Sequence, residues 1–263
     1  MPIKWNCYES KNIMFINDLV SIVMPTYNSG KYIINSIESV LSQSYQNWQL
    51  FIVDDYSTDN TLNIILTFKD PRIILIKNDS NKGAVFTRNR AIQAAKGQFI
   101  AFLDSDDLWL PNKLSQQIAT LRQQNNAVCC HSSFRRIDES GKFINDVKTV
   151  KYINLSLMRK SNFIGNSTGI IDRNKVGTVF QKERKHEDYI MWLDVLSKTE
   201  EAYSIGIEEV LAEYRVRSSS LSSNKVQSLN WHWSILRKEQ ELSIFSAVYY
   251  LCHYVYFGIK KRT

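Results

Sequence analysis

Between Val20 and Leu121 the chain alternates between two hydrophobic periods. Short apolar runs (VSIVM from Val20, LFIV from Leu50, IILI from Ile73 and FIAFL from Phe99) have strand length and end in turn or acidic residues. Between them lie segments with helical spacing. Ile33, Ile34, Ile37, Val40 and Leu41 share one helix face, and STDNTLNIILTF opens on capping residues. A third helix is bounded by Gly83 and Gly97, and a fourth starts at Pro111, a residue suited to a first turn. Strands separated by helices of about 10–15 residues build parallel βαβ units. The fold class is therefore α/β, with a mostly parallel, Rossmann-like central sheet flanked by helices. Beyond residue 125 the pattern loosens. AVCCHSSF, STGIIDRN and EVLAEYRV read as strands, and HEDYIMWLDVLSK as a short helix with Ile190, Leu193 and Val195 or Leu196 toward the core.

In sheets of this kind ligands bind outside the carboxyl ends of the strands. Polar clusters fall there three times: Thr26–Tyr27–Asn28, Asp54–Asp55 and Asp104–Asp107. The last is the most demanding, because Asp104, Asp106 and Asp107 are packed into four positions straight after an apolar run. Like charges this close oppose one another's ionisation, so water or a cation must compensate them. Acids at i and i+2 can share Mg2+ or Mn2+ with a diphosphate, since such ions take oxygen ligands and keep places for substrate. Asp54 or Asp55 could accept from a nucleobase N–H or a ribose hydroxyl, leaving Ser57 or Asp59 to cap the next helix.

Arg88 or Arg90, in the helix after Gly83, could meet a phosphate with a planar fork of donors. Glu187 and Asp188 are consecutive on a helix, so they point about 100° apart and cannot play equivalent parts. Free N–H groups at a helix start keep a carboxylate ionised, as a general base requires, although acids also favour helix starts for purely local reasons. Arg215 and Arg217 alternate onto one face of an extended segment and could close over a diphosphate; an exposed basic edge strand would look the same.

The 263 residues are 44% hydrophobic and 22% charged, which describes a globular chain rather than a disordered one. A formal charge of +7 favours anionic partners. Nucleic acid is not among those expected, because charge alone points to it and no RRM, KH or helix-turn-helix pattern is present. Cys7, Cys129, Cys130 and Cys252 show no metal spacing, which suits a reducing compartment. The first twenty residues lack the apolar core of a secretory signal, so a cytoplasmic location is expected. From Leu242 to Ile259 there is no Asp, Glu, Lys or Arg, and Lys260, Lys261 and Arg262 follow. Interspersed tyrosines and a basic end suit a helix lying on a membrane surface or packed on its own domain better than a span.

Taken together, VSIVMPTYNSGKYIINSIESVLSQSYQNWQLFIVDDYSTDNT, NKGAVFTRNRAIQAAKGQFIAFLDSDDLWLP, HEDYIMWLDVL and YRVRSSSLS resemble the inverting family-2 glycosyltransferases of GT-A fold, of the kind that build bacterial surface polysaccharides. The resemblance covers about residues 20 to 220 and is densest up to Lys113. It implies a catalytic and nucleotide-sugar-binding domain, expected over residues 1–220, and the apolar tail with its basic end is expected to form a helical, membrane-associating extension over 221–263. It implies that Pro25, Thr26 and Tyr27 line the base and ribose pocket, that Asp54 or Asp55 holds the base, and that Arg88, Arg215 and Arg217 lie by the nucleotide. Asp104 and Asp106 match the DxD pair, Asp104 nearer the ribose, with Mn2+ or Mg2+ as the implied cofactor. Asp188 matches the catalytic base.

The implied reaction is transfer of a hexose from a nucleotide-diphosphate donor, a UDP-sugar above all, to a lipid-linked glycan at the inner face of the cell membrane. Departures stand at Tyr56, where the family often has Gly, and at Arg217, where many members have His; an arginine can neutralise a diphosphate but cannot coordinate a metal. Two rival readings remain. One is a catalytically silent nucleotide-sugar or glycan binder. The other is a DxD phosphatase, in which the motif would end the first strand rather than the fourth.

Overall fold

The computed structural model describes residues 14–217 and 225–260, and the alternation of periods is its architecture. Strands β1 (Ile16–Thr26), β2 (Trp48–Asp54), β3 (Ile73–Lys77) and β4 (Gly97–Phe102) pair in parallel in the order β3-β2-β1-β4. Helices α1 (Ile33–Leu41), α2 (Thr61–Ile65) and α3 (Ala84–Ala94) make the crossovers, and α4 (Lys113–Arg122) follows. Period-2 alternation sorts the strand residues onto two faces. Val20, Ile22 and Met24 pack with Ile33, Ile37 and Val40 of α1 and with Leu114, Ile118 and Leu121 of α4. Val23 and Phe102 face the opposite layer, with Ala91 and Ile92 of α3 and the side chains of α7 (Glu187–Leu196), which follows the one-turn helices α5 (Leu155–Met158) and α6 (Arg173–Val176). Each such buried Val, Leu, Ile, Met or Phe side chain contributes about 1.5–3 kcal/mol relative to exposure.

The second half widens the sheet. β6 (Ala127–Ile137) and β10 (Tyr203–Arg215) run parallel to each other, and β9 (Ile170–Asp172) joins β6 to β4 antiparallel to both. The two-residue β5 (Leu108–Trp109) and β8 (Tyr152–Asn154) pair antiparallel with β10, and β7 (Phe143–Val147) with β6. Parallel pairing still dominates, since the long β1–β2 and β6–β10 ladders are both parallel. Cys129 and Cys130 are buried strand residues of β6, as expected.

Two expectations differ in detail. α2 is only five residues long. The polar stretch before it is spent on the β1 loop and on the helix start, with Asp59 accepting from the amides of Gly30 and Thr61. α7 is buried on nearly every side, not on one face: Tyr189 to Leu193, Val195 and Leu196 are all in the core. Its outer side is covered by α8 (Lys225–Ser234) and the π turn after it, through His232 and Ile235. The last helix is α9 (Ile244–Lys260). Among the described residues no helix is long and apolar enough to cross a membrane. The domain boundary expected at 220/221, the serine-rich segment around it, Cys7 and the terminal Lys261 and Arg262 lie outside the described residues.

The approach of β4 to β1 depends on Gly97. Its amide donates to Ser21 Oγ at 3.0 Å, and a Cβ there would run into the backbone carbonyl of Leu19. Backbone cannot yield as a side chain can, so Gly97→Ala is expected to lower stability by about 1–3 kcal/mol. The urea midpoint should fall at an unchanged m-value; an unaltered midpoint would show that the two strands do not meet at this register.

Candidate active site

The carboxyl ends of β1, β2 and β4 open onto one crevice. Thr26 and Asp54 are register partners at the tips of β1 and β2, and the amide of Leu103 donates to the carbonyl of Val23 at 3.0 Å, which brings the acidic turn beside Pro25. Pro25 is half-buried, Thr26 buried and Tyr27 exposed. Thr26 Oγ1 and Asp54 Oδ1 are buried without a hydrogen-bond partner, whereas Asp54 Oδ2 accepts from the Ser57 amide at 3.1 Å. Asp55 is more heavily engaged. Its Oδ1 accepts from Asn78 Nδ2 at 2.6 Å and the Lys82 amide at 2.8 Å, and its Oδ2 accepts from the Gly83 amide at 2.8 Å. Asp55 thereby shapes the entry to α3, where Gly83 has φ 87°, and one of a carboxylate's roughly four lone-pair sites remains for a ligand. Tyr56, where the family often has Gly, stands at φ 67°, a left-handed conformation that explains why Gly is favoured there.

The three acids of the turn separate into two roles. Asp107 is buried beneath it: Oδ1 accepts from the Arg215 amide at 2.9 Å and Oδ2 from Ser167 Oγ at 2.5 Å. Burial, with Asp104 and Asp106 alongside, pushes its carboxyl well above the usual range. Asp104 and Asp106 face arginines instead. Arg88 Nη2 donates to Asp104 Oδ1 at 2.7 Å, and Arg217 Nη2 lies 2.7 Å from Asp106 Oδ2. Asp106 is raised by burial and then by Asp104, with Arg217 and Arg215 pulling it back. The turn is tied to α1 by Ser36 Oγ, which lies 3.0 Å from the carbonyl of Ser105 and 2.8 Å from that of Asp107.

Of the two arginines in α3, only Arg88 enters the crevice. Arg90 turns back to the carbonyl of Lys77 and to Asn78 Oδ1. Arg88 is buried, and its Nη1 donates to Glu187 Oε1 at 3.2 Å and Gln181 Oε1 at 3.4 Å. Burial works against its charge, but Asp104, with Glu187 and Asp188, overrides this and raises its pKa. Glu187 is thus the partner of Arg88. Its neighbour Asp188 points elsewhere, accepting from Asn162 Nδ2 at 3.3 Å. Burial raises the Asp188 carboxyl; the Tyr189 amide lowers it, Glu187 adds to the rise, and Arg88 and His186 lower it further.

Arg215 differs from its expected use. Its Nε donates to the carbonyl of Asp106 at 2.9 Å and its Nη1 to that of Asp138 at 3.0 Å, so its side chain braces backbone. Arg215 and Arg217 both lie over the ring of Tyr32, 4.8 and 5.1 Å from its centroid. Tyr32, Ser167, Asn162 and Gln181 were not found from sequence. Ser167 and Gln181 act across 60 residues or more, Asn162 across 26 and Tyr32 by a ring contact, so no local spacing signals them; only the polar character of the segment around Asn162–Thr168 marks that loop.

Two hard carboxylates at i and i+2 suit a divalent ion that completes its shell with water and diphosphate. No group of three or more His, Cys, Asp or Glu side chains among the described residues could hold a metal. The acidic pair that would hold such an ion is Asp104 and Asp106, each of which has a carboxylate oxygen besides the one on its arginine.

A mostly parallel sheet with acids at its strand ends and a carboxylate at the start of α7 is the arrangement of a GT-A glycosyltransferase, and the chain belongs to glycosyltransferase family 2, whose model (Glycosyl transferase family 2) matches residues 21–179. Among its relatives is WfgD of Escherichia coli, a UDP-Glc:alpha-D-GlcNAc-diphosphoundecaprenol beta-1,3-glucosyltransferase. It is 39% identical over 247 residues, covering 93% of this chain and 95% of WfgD. TarS of S. aureus, solved with UDP-GlcNAc, has a TM-score of 0.70 at 19% identity, covering 90% of this chain and 71% of that chain. The mannosyltransferase PcManGT of Pyrobaculum calidifontis, solved with GDP-Man and Mn2+, has a TM-score of 0.64 at 15% identity, covering 88% and 69%. These two likenesses establish the fold.

Arg88→Ala leaves Asp104 and Glu187 without their shared counter-charge. The expected loss is roughly 1–3 kcal/mol, below that of a fully buried pair because both carboxylates are part-exposed. Arg88→Lys should recover little of it, since an ammonium cannot fork between two acids. A wild-type urea midpoint in both variants would disprove the bridge.

Proposed function

We propose that this chain is an inverting hexosyltransferase of surface polysaccharide assembly, moving a sugar from a UDP-sugar to a hydroxyl of a lipid-linked glycan at the cytoplasmic face of the membrane. The observation that carries the reading is Arg88. One buried guanidinium touches Asp104 and Glu187, so the acidic turn and the N-terminus of α7 face each other across a single crevice. The names of WfgD and the nucleotide of TarS support a uridine donor, and WfgD makes UDP-glucose and a GlcNAc-diphosphoundecaprenol acceptor the first pair to test.

Pro25, Thr26, Tyr27, Asp54 and Asp55 frame the base and ribose, with Thr26 Oγ1 and Asp54 Oδ1 the buried atoms in want of partners. Mn2+ or Mg2+ held by Asp104 and Asp106 would supply positive charge to the leaving diphosphate. Arg217 adds to that charge and Arg215 braces the turn. Asp188 takes the proton of the acceptor hydroxyl while the hydroxyl oxygen attacks the anomeric carbon. The bond to the diphosphate breaks on the opposite face, so an α-linked donor gives a β-linked product. Burial makes Asp188 a stronger proton acceptor than an exposed aspartate, and Asn162 orients it. A poor leaving group would need a paired acid, as in inverting hydrolases; a diphosphate needs charge instead.

A screen of nucleotide sugars with lipid-linked acceptor tests the reading. Asp188→Asn should cut kcat by about 10²–10⁴-fold and keep donor binding, the usual range for a lost general base. Asp106→Ala should lose transfer and the response to Mn2+ together. Undiminished transfer by Asp188→Asn would refute the assignment, and metal-stimulated donor binding without any transfer would favour the silent binder.

The sign of the pH dependence follows from the raised Asp188. The base must be ionised, so kcat should rise with pH through its pKa, and the acid limb should lie above the ~3.9 of a free aspartate. An acid limb at or below that value would contradict a buried base.

A further inference from the structure

The C-terminal helix carries two stripes with different surroundings. Tyr250, Tyr254 and Phe257 follow one face of α9 toward the protein, with Ala247 buried on the same side. Tyr250 Oη lies 3.2 Å from Ser156 Oγ. Phe257 packs edge-on against Phe163 with centroids 5.2 Å apart, and Phe163 is the neighbour of Asn162, the residue that donates to Asp188. Tyr254 stacks on His232 at 4.0 Å, and His232 stacks on Tyr189 at 5.6 Å; Tyr189 directly follows Asp188. Two aromatic routes therefore run from α9 to the two sides of this carboxylate. His232 is held neutral by burial, its pKa lowered to about 4, and its Nε2 donates to the carbonyl of Arg159 at 3.1 Å. Ring contact, not charge, carries that link.

The other stripe is turned outward, and among the described residues its one contact with another element is Lys160 Nζ, 5.8 Å from the centroid of the Tyr249 ring. Phe245, Tyr249, Tyr256 and Ile259 recur at helical spacing and are exposed, Phe245 at 89% and Ile259 at 62%. No charged residue interrupts α9 before Lys260, and the sequence continues as Lys261 and Arg262. An apolar aromatic stripe that ends in cations complements an anionic bilayer surface, whose headgroups meet the basic end while the rings enter the interface.

We propose that the Phe245–Tyr249–Tyr256–Ile259 stripe seats α9 on an anionic membrane surface, where the lipid-linked acceptor lies, and that His232 is a positioning residue through which α9, seated or not, orients Asp188. The acceptor half of this statement rests on the reading of function above; the seating half does not.

The full chain is sedimented with phosphatidylcholine vesicles with and without phosphatidylglycerol, and transfer is measured to a lipid-linked and to a short, water-soluble acceptor. The wild type should sediment only with the anionic vesicles. Phe245→Ser combined with Tyr256→Ser should abolish sedimentation and transfer to the lipid-linked acceptor while keeping transfer to the soluble one. His232→Ala should still sediment and keep the donor KM, but lose kcat on both acceptors by roughly ten- to a hundredfold, the cost of a misplaced reacting group. His232→Phe, which keeps the ring, should recover most of it. Unchanged sedimentation of the double variant overturns the seating, as does a wild-type dimer that the double variant dissolves. Unchanged kcat in His232→Ala, or an equal loss in His232→Phe, overturns the positioning role. A wild type that sediments but transfers nothing would defeat the functional reading and leave the seating intact.

Discussion

A guanidinium buried among carboxylates sets the geometry on which everything else here depends. Asp104 belongs to the first half of the chain and Glu187 to the second, 83 residues later, and the backbone pairing of the sheet alone does not dictate how their loops meet. Arg88 does so with a rigid planar fork, one arm for each acid. Because its charge is withdrawn from water, both contacts must be kept for burial to be tolerable. The crevice is thus held open at a fixed width by a residue that is itself on a packed helix, not on a loop.

The acidic turn shows a second constraint of the same kind. Three carboxylates cannot all remain solvated after a strand as apolar as β4. The fold resolves the conflict by sinking Asp107 onto the Arg215 amide and Ser167 and leaving Asp104 and Asp106 for the crevice. The carbonyl ties from Ser36 and Arg215 then fix the backbone between them. The repulsion noticed in the sequence is not removed; it is concentrated at a place where positive charge is wanted, which is how binding sites store part of the energy their ligands release.

Much of this was legible in the residues. Strands β1 to β4 could be read because each is an apolar run with punctuation at both ends, and the site clusters because a parallel sheet sends its carboxyl ends to one edge. The second half was less legible for stated physical causes. β5 and β8 have two and three residues, too few to show a period. α7 lost its amphipathic signature because α8 covers its outer side with His232, a polar residue in sequence and a stacking ring in space. Spacing placed Arg215 and Arg217 on one face, yet their side chains diverge, one to backbone carbonyls and one to Asp106, since Tyr32 beneath both rewards stacking without fixing where the remaining nitrogens point.

The contact between Arg217 and Asp106 alters the meaning of affinity at this turn. A protein that supplies its own cation to an acidic residue is never an empty receptacle. Any metal brought to Asp106 competes with a tethered rival, and any diphosphate that draws Arg217 away frees the carboxylate at the same moment. Arrival of one ligand thereby lowers the cost of the other. On the function proposed above, ion and nucleotide would be coupled through a side chain that changes sides, without any movement of the sheet beneath it.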